Sequence, residues 1–113
     1  MARRPAFAKV FMRRWRIVEM DQWDNDYLDL VEPAFIQLGG SDGAFVFGTV
    51  RGWLDLRYLA RDGEPCVEFS WEGLSDDDPA CGRGWASLGT AGRLVGHLFI
   101  HNSDDSGFVA EPE

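Results

Sequence analysis

Alternation of apolar and polar residues is the clearest pattern in the chain, and it is strongest between Gly43 and His101. The run VEFSWE at 67–72 places apolar side chains on one face of an extended chain and polar side chains on the other. A period of two residues indicates a strand with one buried face. Similar runs are separated by short groups of Gly, Pro, Asp and Ser, which predicts an antiparallel meander.

The predicted strands follow one another with short turns. They cover residues 14–20, 34–38, 44–50, 52–59, 66–72, 82–88 and 93–101, with a further short strand near residue 108. Asp62-Gly63 is a hairpin signal, and residues 73–80 read as an acidic loop. A meander of this length exposes the fewest edges when it curls up. The predicted fold class is therefore mainly β: an antiparallel meander of seven or eight strands forming a small barrel or strongly bent sheet, with one short helix near the N-terminus.

That helix is predicted between Asp21 and Val31. Apolar residues at positions 23, 27, 30 and 31 fall on one helical face, and Asp21 suits the N-cap. Pro33 prevents the helix from continuing. The helix is expected to cover an open end or one face of the sheet.

One domain is predicted. A chain of 113 residues can bury about two-thirds of its unfolded surface without a disulfide or metal. Residues 1–11 are basic and aperiodic, so we predict a flexible basic tail at 1–11 and a single β-rich domain at 12–113. The alternation predicts a core that includes Trp15, Phe47, Leu56, Phe69, Trp71, Leu98 and Ile100.

The charge distribution narrows the possible partners. The net charge is −8, and six of the eleven Lys and Arg residues lie in residues 1–16. The rest of the chain is strongly acidic, which argues against direct binding to nucleic acid or to an anionic membrane. Two cysteines are too few for a disulfide framework, and no apolar run matches a signal peptide or a membrane span. We expect a cytoplasmic protein with reduced thiols.

Motifs that carry chemistry are missing from the sequence. It contains no GxGxxG, GxxxxGK[ST], HExxH, GxSxG or CxxC motif. His97 and His101 are four residues apart on a predicted strand, about 13 Å, which is too far for one zinc ion. The acidic runs at 76–78 and 104–105 lack the spacing of an EF-hand loop. We therefore predict no catalytic residue, no cofactor and no metal site.

Rings and fixed charges provide the candidate contact surface. Asp55 and Arg57 share a face with Trp53, because they lie two residues apart on one strand. Such charges either line a barrel lumen or point outward as ion pairs, and the alternation of polar and apolar residues at 67–72 favours the outward direction. The tryptophans either fill the core or line a pocket. The candidate ligand-binding residues are Trp53, Arg57, Trp71, Trp85, Glu68 and Glu72.

Several segments together resemble a family of short uncharacterised bacterial proteins. They are WRIVEM at 15–20, FSWEG at 69–73, GRGWA at 82–86 and LFIH at 98–101, followed by DDS at 104–106. The resemblance extends from about Trp15 to Phe108 and implies a soluble bacterial protein, without implying an activity. The aromatic-rich meander is also similar to small lipocalin-like barrels, which is an analogy of fold and does not give function.

The function expected from the sequence is a non-enzymatic binding module for a protein or a small ligand. One alternative is an acidic decoy of nucleic acid, which would occupy the basic groove of a nucleic-acid-binding protein. Another is a small barrel hydrolase or isomerase that works through Asp55, Glu68 or Glu72. A decoy needs carboxylates spread along an exposed face, whereas an enzyme needs a few that converge in a concavity. The sequence does not predict an oligomeric state.

Overall fold

A computed structural model describes residues 4–113 as a closed, eight-stranded antiparallel β-barrel. The strands are β1 (Arg14–Met20), β2 (Phe35–Leu38), β3 (Asp42–Phe47), β4 (Val50–Arg61), β5 (Glu64–Ser75), β6 (Asp78–Leu88), β7 (Leu94–Ile100) and β8 (Asp105–Pro112). Each strand pairs with the next in sequence, and β8 pairs with β1 to close the barrel. The predicted fold class is confirmed.

The largest difference in strand bounds falls on the predicted acidic loop at 73–80. β5 and β6 extend through it, so only Asp76 and Asp77 remain as the turn. Both have positive φ angles, 51° and 68°, which is the conformation of a two-residue type I′ hairpin and one that Asp tolerates. The predicted hairpin at Asp62-Gly63 is confirmed, with φ angles of 52° and 80°.

The predicted helix at 21–31 is reduced to one turn, α2 (Asn25–Leu28), in the connection between β1 and β2. Its N-cap is Asp24 and not Asp21: Oδ1 of Asp24 accepts a hydrogen bond from the Tyr27 N–H at 3.0 Å. Asp21 instead accepts a hydrogen bond from the Gly107 N–H at 3.1 Å, on β8.

The C-terminal half of the predicted helix is also wrong. Leu30 and Val31 are 63% and 58% exposed, so the predicted apolar face is not buried as a unit. The connection must turn back to β2 within a few residues. The Asp29 carboxylate makes that turn by accepting a hydrogen bond from the Ala34 N–H at 2.9 Å and pairing with Arg16 at 2.8 Å.

Residues near the N-terminus differ from the predicted flexible tail. Residues 1–3 lie outside the described part of the chain, but Ala8–Phe11 form a helical turn, α1. Phe11 is fully buried, its ring lies 5.8 Å from the Tyr58 ring, and its carbonyl accepts a hydrogen bond from the Trp15 indole at 3.0 Å. The prediction failed there because a single helical turn is too short to produce a periodic pattern.

Both ends of the barrel are covered. α1 packs at the end where β4 finishes, through the contact between Phe11 and Tyr58. The α2 connection packs at the opposite end, where the Trp23 ring lies 5.0 Å from Phe47 and the Gly48 N–H donates to the Leu28 carbonyl at 2.8 Å.

The interior is filled by rings that lie across glycines on neighbouring strands. Four directly paired positions combine an aromatic residue with a glycine: Phe45 with Gly52, Phe69 with Gly84, Trp71 with Gly82, and Phe108 with Gly96. At each glycine, a Cβ atom would come within 2.5–2.8 Å of the paired ring. The predicted core is confirmed, with Ile100 partly buried and the other six residues buried.

Candidate functional site

An open groove of about 860 Å³ runs across the outer surface of β4, β5, β6 and β7. Its walls are side chains that the strands direct away from the barrel interior. They include Trp53 and Asp55 on β4, Glu72 on β5, Cys81 and Arg83 on β6, and Phe99 on β7.

Strand register brings these side chains together in two rows. In one row, Trp53 is paired with Glu72, which is paired in turn with Cys81. In the other row, Asp55, Ser70, Arg83 and Phe99 follow one another across the four strands. The rows are two residues apart along each strand, so all these positions share the outer face.

Trp53 is the most exposed apolar ring of the groove. Trp53 is 58% exposed, and every other Phe, Tyr and Trp in the described range 4–113 is less exposed. An exposed ring of this size gains free energy when another molecule covers it, because apolar area is then removed from water. Trp53 therefore marks the groove as a surface suited to contact with another molecule.

Arg83 carries a charge that no carboxylate in the described chain neutralises within 4.0 Å. Its guanidinium lies 5.1 Å from the centroid of the Phe99 ring, which holds it by a cation–π contact. Other arginines on the barrel do have partners: Arg57 pairs with Asp55 at 2.8 Å, and Arg61 pairs with Glu68.

The predicted contact residues fall into two separate groups. Trp53 and Glu72 are directly paired in the groove. Arg57, Glu68 and Trp85 form another row across β4, β5 and β6, four residues along the strands from the first and about 13 Å away. Within that row Glu68 pairs with Arg61, whose guanidinium also lies 5.5 Å from the Trp85 ring.

Trp71 does not belong to the exposed surface. Its ring faces the interior and is 3% exposed, and its indole N–H donates to the Phe99 carbonyl at 3.1 Å. The sequence prediction that Trp71 is a core residue is therefore confirmed, whereas a direct contact with a partner would require the ring to leave the core. Trp71 forms the floor of the groove.

Sequence reasoning missed Arg83, Phe99 and Cys81 as groove residues. Alternation alone places Arg83 on the same face as Trp85, two residues along β6. The alternation does not say which residues of β5 and β7 lie beside it. Only the register of the closed barrel supplies those neighbours, because a shift of a single residue would turn the whole strand over.

The ionisable groups of residues 4–113, inside the groove and outside it, show no arrangement for metal binding. In the described residues, no group of three or more His, Cys, Asp or Glu side chains could hold a metal ion. His97 Nε2 lies 2.5 Å from Asp105 Oδ2, while His101 lies in the turn after β7 and lines the edge of the groove. Cys66 is buried, and this burial raises the pKa of its thiol.

Fold and groove together define a class: a closed up-and-down β-barrel with a filled interior and an open groove on its outer wall. No helix in residues 4–113 has the length and apolar character needed to cross a membrane. Comparison with models of known protein families gave no match, and comparison with curated proteins gave no significant relative.

Proposed function

We propose that this protein is a non-enzymatic binding module that takes its ligand, a protein segment or a small molecule, in the groove on the outer face of β4–β7. The observation that carries the proposal is the exposed Trp53 ring on the wall of that groove. Exposed tryptophans contribute much of the binding energy where a partner covers them. The groove volume of about 860 Å³ also lies in the range of small-molecule sites.

The outer groove is a better candidate than the barrel interior. Lipocalin-like barrels, which the sequence pattern resembles, suggest a ligand inside the barrel. Here aromatic rings lie across the interior glycines, and Phe11 and Trp23 cover the two ends. An internal ligand would have to displace packed rings, which costs free energy that an open groove does not require.

The acidic-decoy alternative has less support from the positions of the carboxylates. A decoy needs free carboxylates along one face, but those of Asp55 and Glu68 on the sheet are paired with Arg57 and Arg61. The acidic pair Asp76-Asp77 lies in a hairpin turn at one end of the barrel, away from those sheet positions.

The enzyme alternative also lacks a convergent site. Glu68 and Glu72 lie four residues apart on β5, about 13 Å, so they do not act on one bond together. Asp55 and Glu72 both line the groove, but the Asp55 carboxylate is exposed and paired with Arg57 at 2.8 Å. General acid–base catalysis instead uses carboxyl groups that burial or neighbouring charge adapts to proton transfer.

The proposed setting follows the charge and the cysteines. A net charge of −8 supports a partner other than nucleic acid or an anionic membrane. Both cysteines are free thiols, which supports a reducing compartment such as the bacterial cytoplasm.

The proposal is tested by NMR mapping of a fragment library on the ¹⁵N-labelled protein. We expect the binding fragments to shift the Trp53 indole signal and the amides of Arg83 and Phe99. Trp53→Ala should remove most of this binding and keep the folded spectrum. Val95→Ala is the matched control, because Val95 is an exposed apolar residue on β7 outside the groove.

Two other outcomes contradict the proposal. Fragments that bind inside the barrel or elsewhere, with affinities unaffected by Trp53→Ala, would show that the groove is not the site. The second outcome is that only cationic fragments bind, and that this binding is lost between about 0.05 M and about 0.5 M NaCl. If the wild type and Trp53→Ala both behave in this way, the decoy alternative is favoured.

A further inference from the structure

The groove contains two unpaired charges of opposite sign. Glu72 on β5 and Arg83 on β6 both line it, and neither has an ion-pair partner within 4.0 Å among the described residues. The third charge on the groove wall, Asp55, is neutralised by Arg57. Among the Asp, Glu and Arg side chains of the groove, the free charges are therefore one carboxylate and one guanidinium, and the ionisable His101 lies at the same groove.

We propose that the ligand of this groove is a short zwitterionic peptide, with its ammonium group between Trp53 and Glu72 and its carboxylate on Arg83. The inference rests on the proposed function, because it assigns a ligand chemistry to the same groove. It adds that both charges of the ligand are recognised, the ammonium by residues of β4 and β5 and the carboxylate by residues of β6 and β7.

Trp53 and Glu72 form the cation subsite. They are directly paired on β4 and β5, so their Cβ atoms lie about 5 Å apart and both side chains point outward. An ammonium group placed there meets the face of an exposed indole and a free carboxylate at once. The first contributes a cation–π attraction and the second an ion pair.

Arg83 and Phe99 form the anion subsite. The two residues are directly paired on β6 and β7, and the ring holds the guanidinium at 5.1 Å. A planar guanidinium offers two parallel N–H donors to a carboxylate. Because Phe99 already restrains the side chain, less conformational entropy is lost when the carboxylate binds.

The backbone spacing of Glu72 and Arg83 favours a short ligand. Glu72 is paired with Cys81, and Arg83 lies two residues further along β6. The Cα atoms of such diagonal neighbours on adjacent strands are about 7–8 Å apart, and the flexible Glu72 and Arg83 side chains can vary the distance between their charged groups. An extended dipeptide spans about 7 Å between its terminal groups. The rings of Trp53 and Phe99 line the groove beside these positions and suit apolar side chains.

The test is an NMR titration with leucyl-leucine and two derivatives, the N-acetylated and the C-amidated dipeptide. For the wild type we expect saturable shifts at Trp53 and Arg83, and about tenfold weaker binding of each derivative, because each lacks one charge-assisted contact. Arg83→Gln should make the free acid and the amide bind alike. Glu72→Gln should reduce the preference for the free over the acetylated amine, and the part that remains should come from the cation–π contact with Trp53.

Matched control variants come from an ion pair outside the groove. Arg93 pairs with Glu111 at 3.1 Å, and neither residue lines the groove. Arg93→Gln and Glu111→Gln should leave all three titrations unchanged. If Arg83→Gln and Glu72→Gln keep the spectrum of the folded protein, a change in affinity comes from the lost charge and not from unfolding.

Two results would overturn the inference. Equal affinities for the dipeptide and its derivatives would show that the charges are not recognised. An absence of groove shifts with leucyl-leucine at concentrations that saturate the fragment hits would exclude zwitterionic dipeptides, while those same hits would leave the proposed function standing.

Discussion

The ring of Phe69 lies across Gly84 on the neighbouring strand, and a Cβ atom at Gly84 would come within 2.5 Å of Phe69 Cζ. The added Cβ atom would also lie 2.6 Å from the carbonyl oxygen of His97. A side chain at position 84 would therefore meet a ring on one side and backbone on the other. The pairing of a large and a small residue directly across two strands lets the rings interdigitate at crystal-like density.

Gly84→Val should destabilise the barrel by about 1–3 kcal/mol, because the added atoms overpack a site that contains backbone. Urea unfolding followed by tryptophan fluorescence measures the loss. Ala60→Val is the matched control, since Ala60 is exposed on β4, and it should change the free energy of unfolding by less than about 0.5 kcal/mol. Equal effects of the two variants would show that Gly84 is not closely packed.

Phe69→Ala should cost about 3–5 kcal/mol, because it removes a buried ring from a packed interior. The same substitution should relieve part of the Gly84→Val penalty, since the ring that the new side chain meets is then absent. A double-mutant cycle measures this coupling. Strict additivity of the two changes would contradict the contact between Phe69 and Gly84.

Phe11→Ala should also destabilise the protein by about 3–5 kcal/mol, because Phe11 closes one end of the barrel against Tyr58. Val10→Ala is the neighbouring control: Val10 is 54% exposed and should change stability by less than about 0.5 kcal/mol. Thermal melts of the two variants should separate clearly. Similar melting temperatures of the two variants would show that this segment is a loosely attached tail.

The long strands and the α1 segment show what the sequence could and could not predict about the fold. Strands such as β5 were predictable because alternation over many residues has no other explanation than a half-buried strand. The packing of Phe11 was not predictable, because it depends on a ring at position 58, far along the chain. Closure of the barrel through β1 and β8 is likewise a pairing between distant segments.

Some features of the candidate site were also predictable from the sequence, and others were not. Period two places Trp53 and Arg57 on one face of β4, which was predictable, and the alternation at 67–72 favoured the outward direction for the charged residues. The importance of Arg83 was not, because it rests on two facts of register: Phe99 lies beside it and no carboxylate does. Trp71 could be assigned to the core or to a contact surface until its face was known.

Stability should fall as the pH rises from about 10 to about 12. Burial raises the pKa of Tyr58 to about 12, although the positive charge of Arg4 lowers it. An unfolded tyrosine loses its proton near pH 10, so in this window the unfolded state binds fewer protons than the folded state and is favoured as the pH rises. Below pH 10 both states are protonated and this contribution is constant.

Urea unfolding at several pH values between 9 and 12 measures that slope. Tyr58→Phe should flatten it, and it should remove a tyrosinate absorbance step near pH 12 from the folded protein. An unchanged slope in Tyr58→Phe would show that another group causes the alkaline loss of stability.

The two cysteines should react with iodoacetamide at very different rates. Cys81 is exposed and lines the groove, whereas Cys66 is buried and its burial raises the pKa of the thiol, which lowers the thiolate fraction at a given pH. Peptide mapping by mass spectrometry at pH 8 should find Cys81 modified first, with Cys66 modified only after urea unfolding. A ligand that occupies the groove should slow the labelling of Cys81 and leave Cys66 unaffected. Equal rates in the folded protein would contradict the burial of Cys66, and full reactivity of Cys81 at saturating ligand would place that ligand outside the groove.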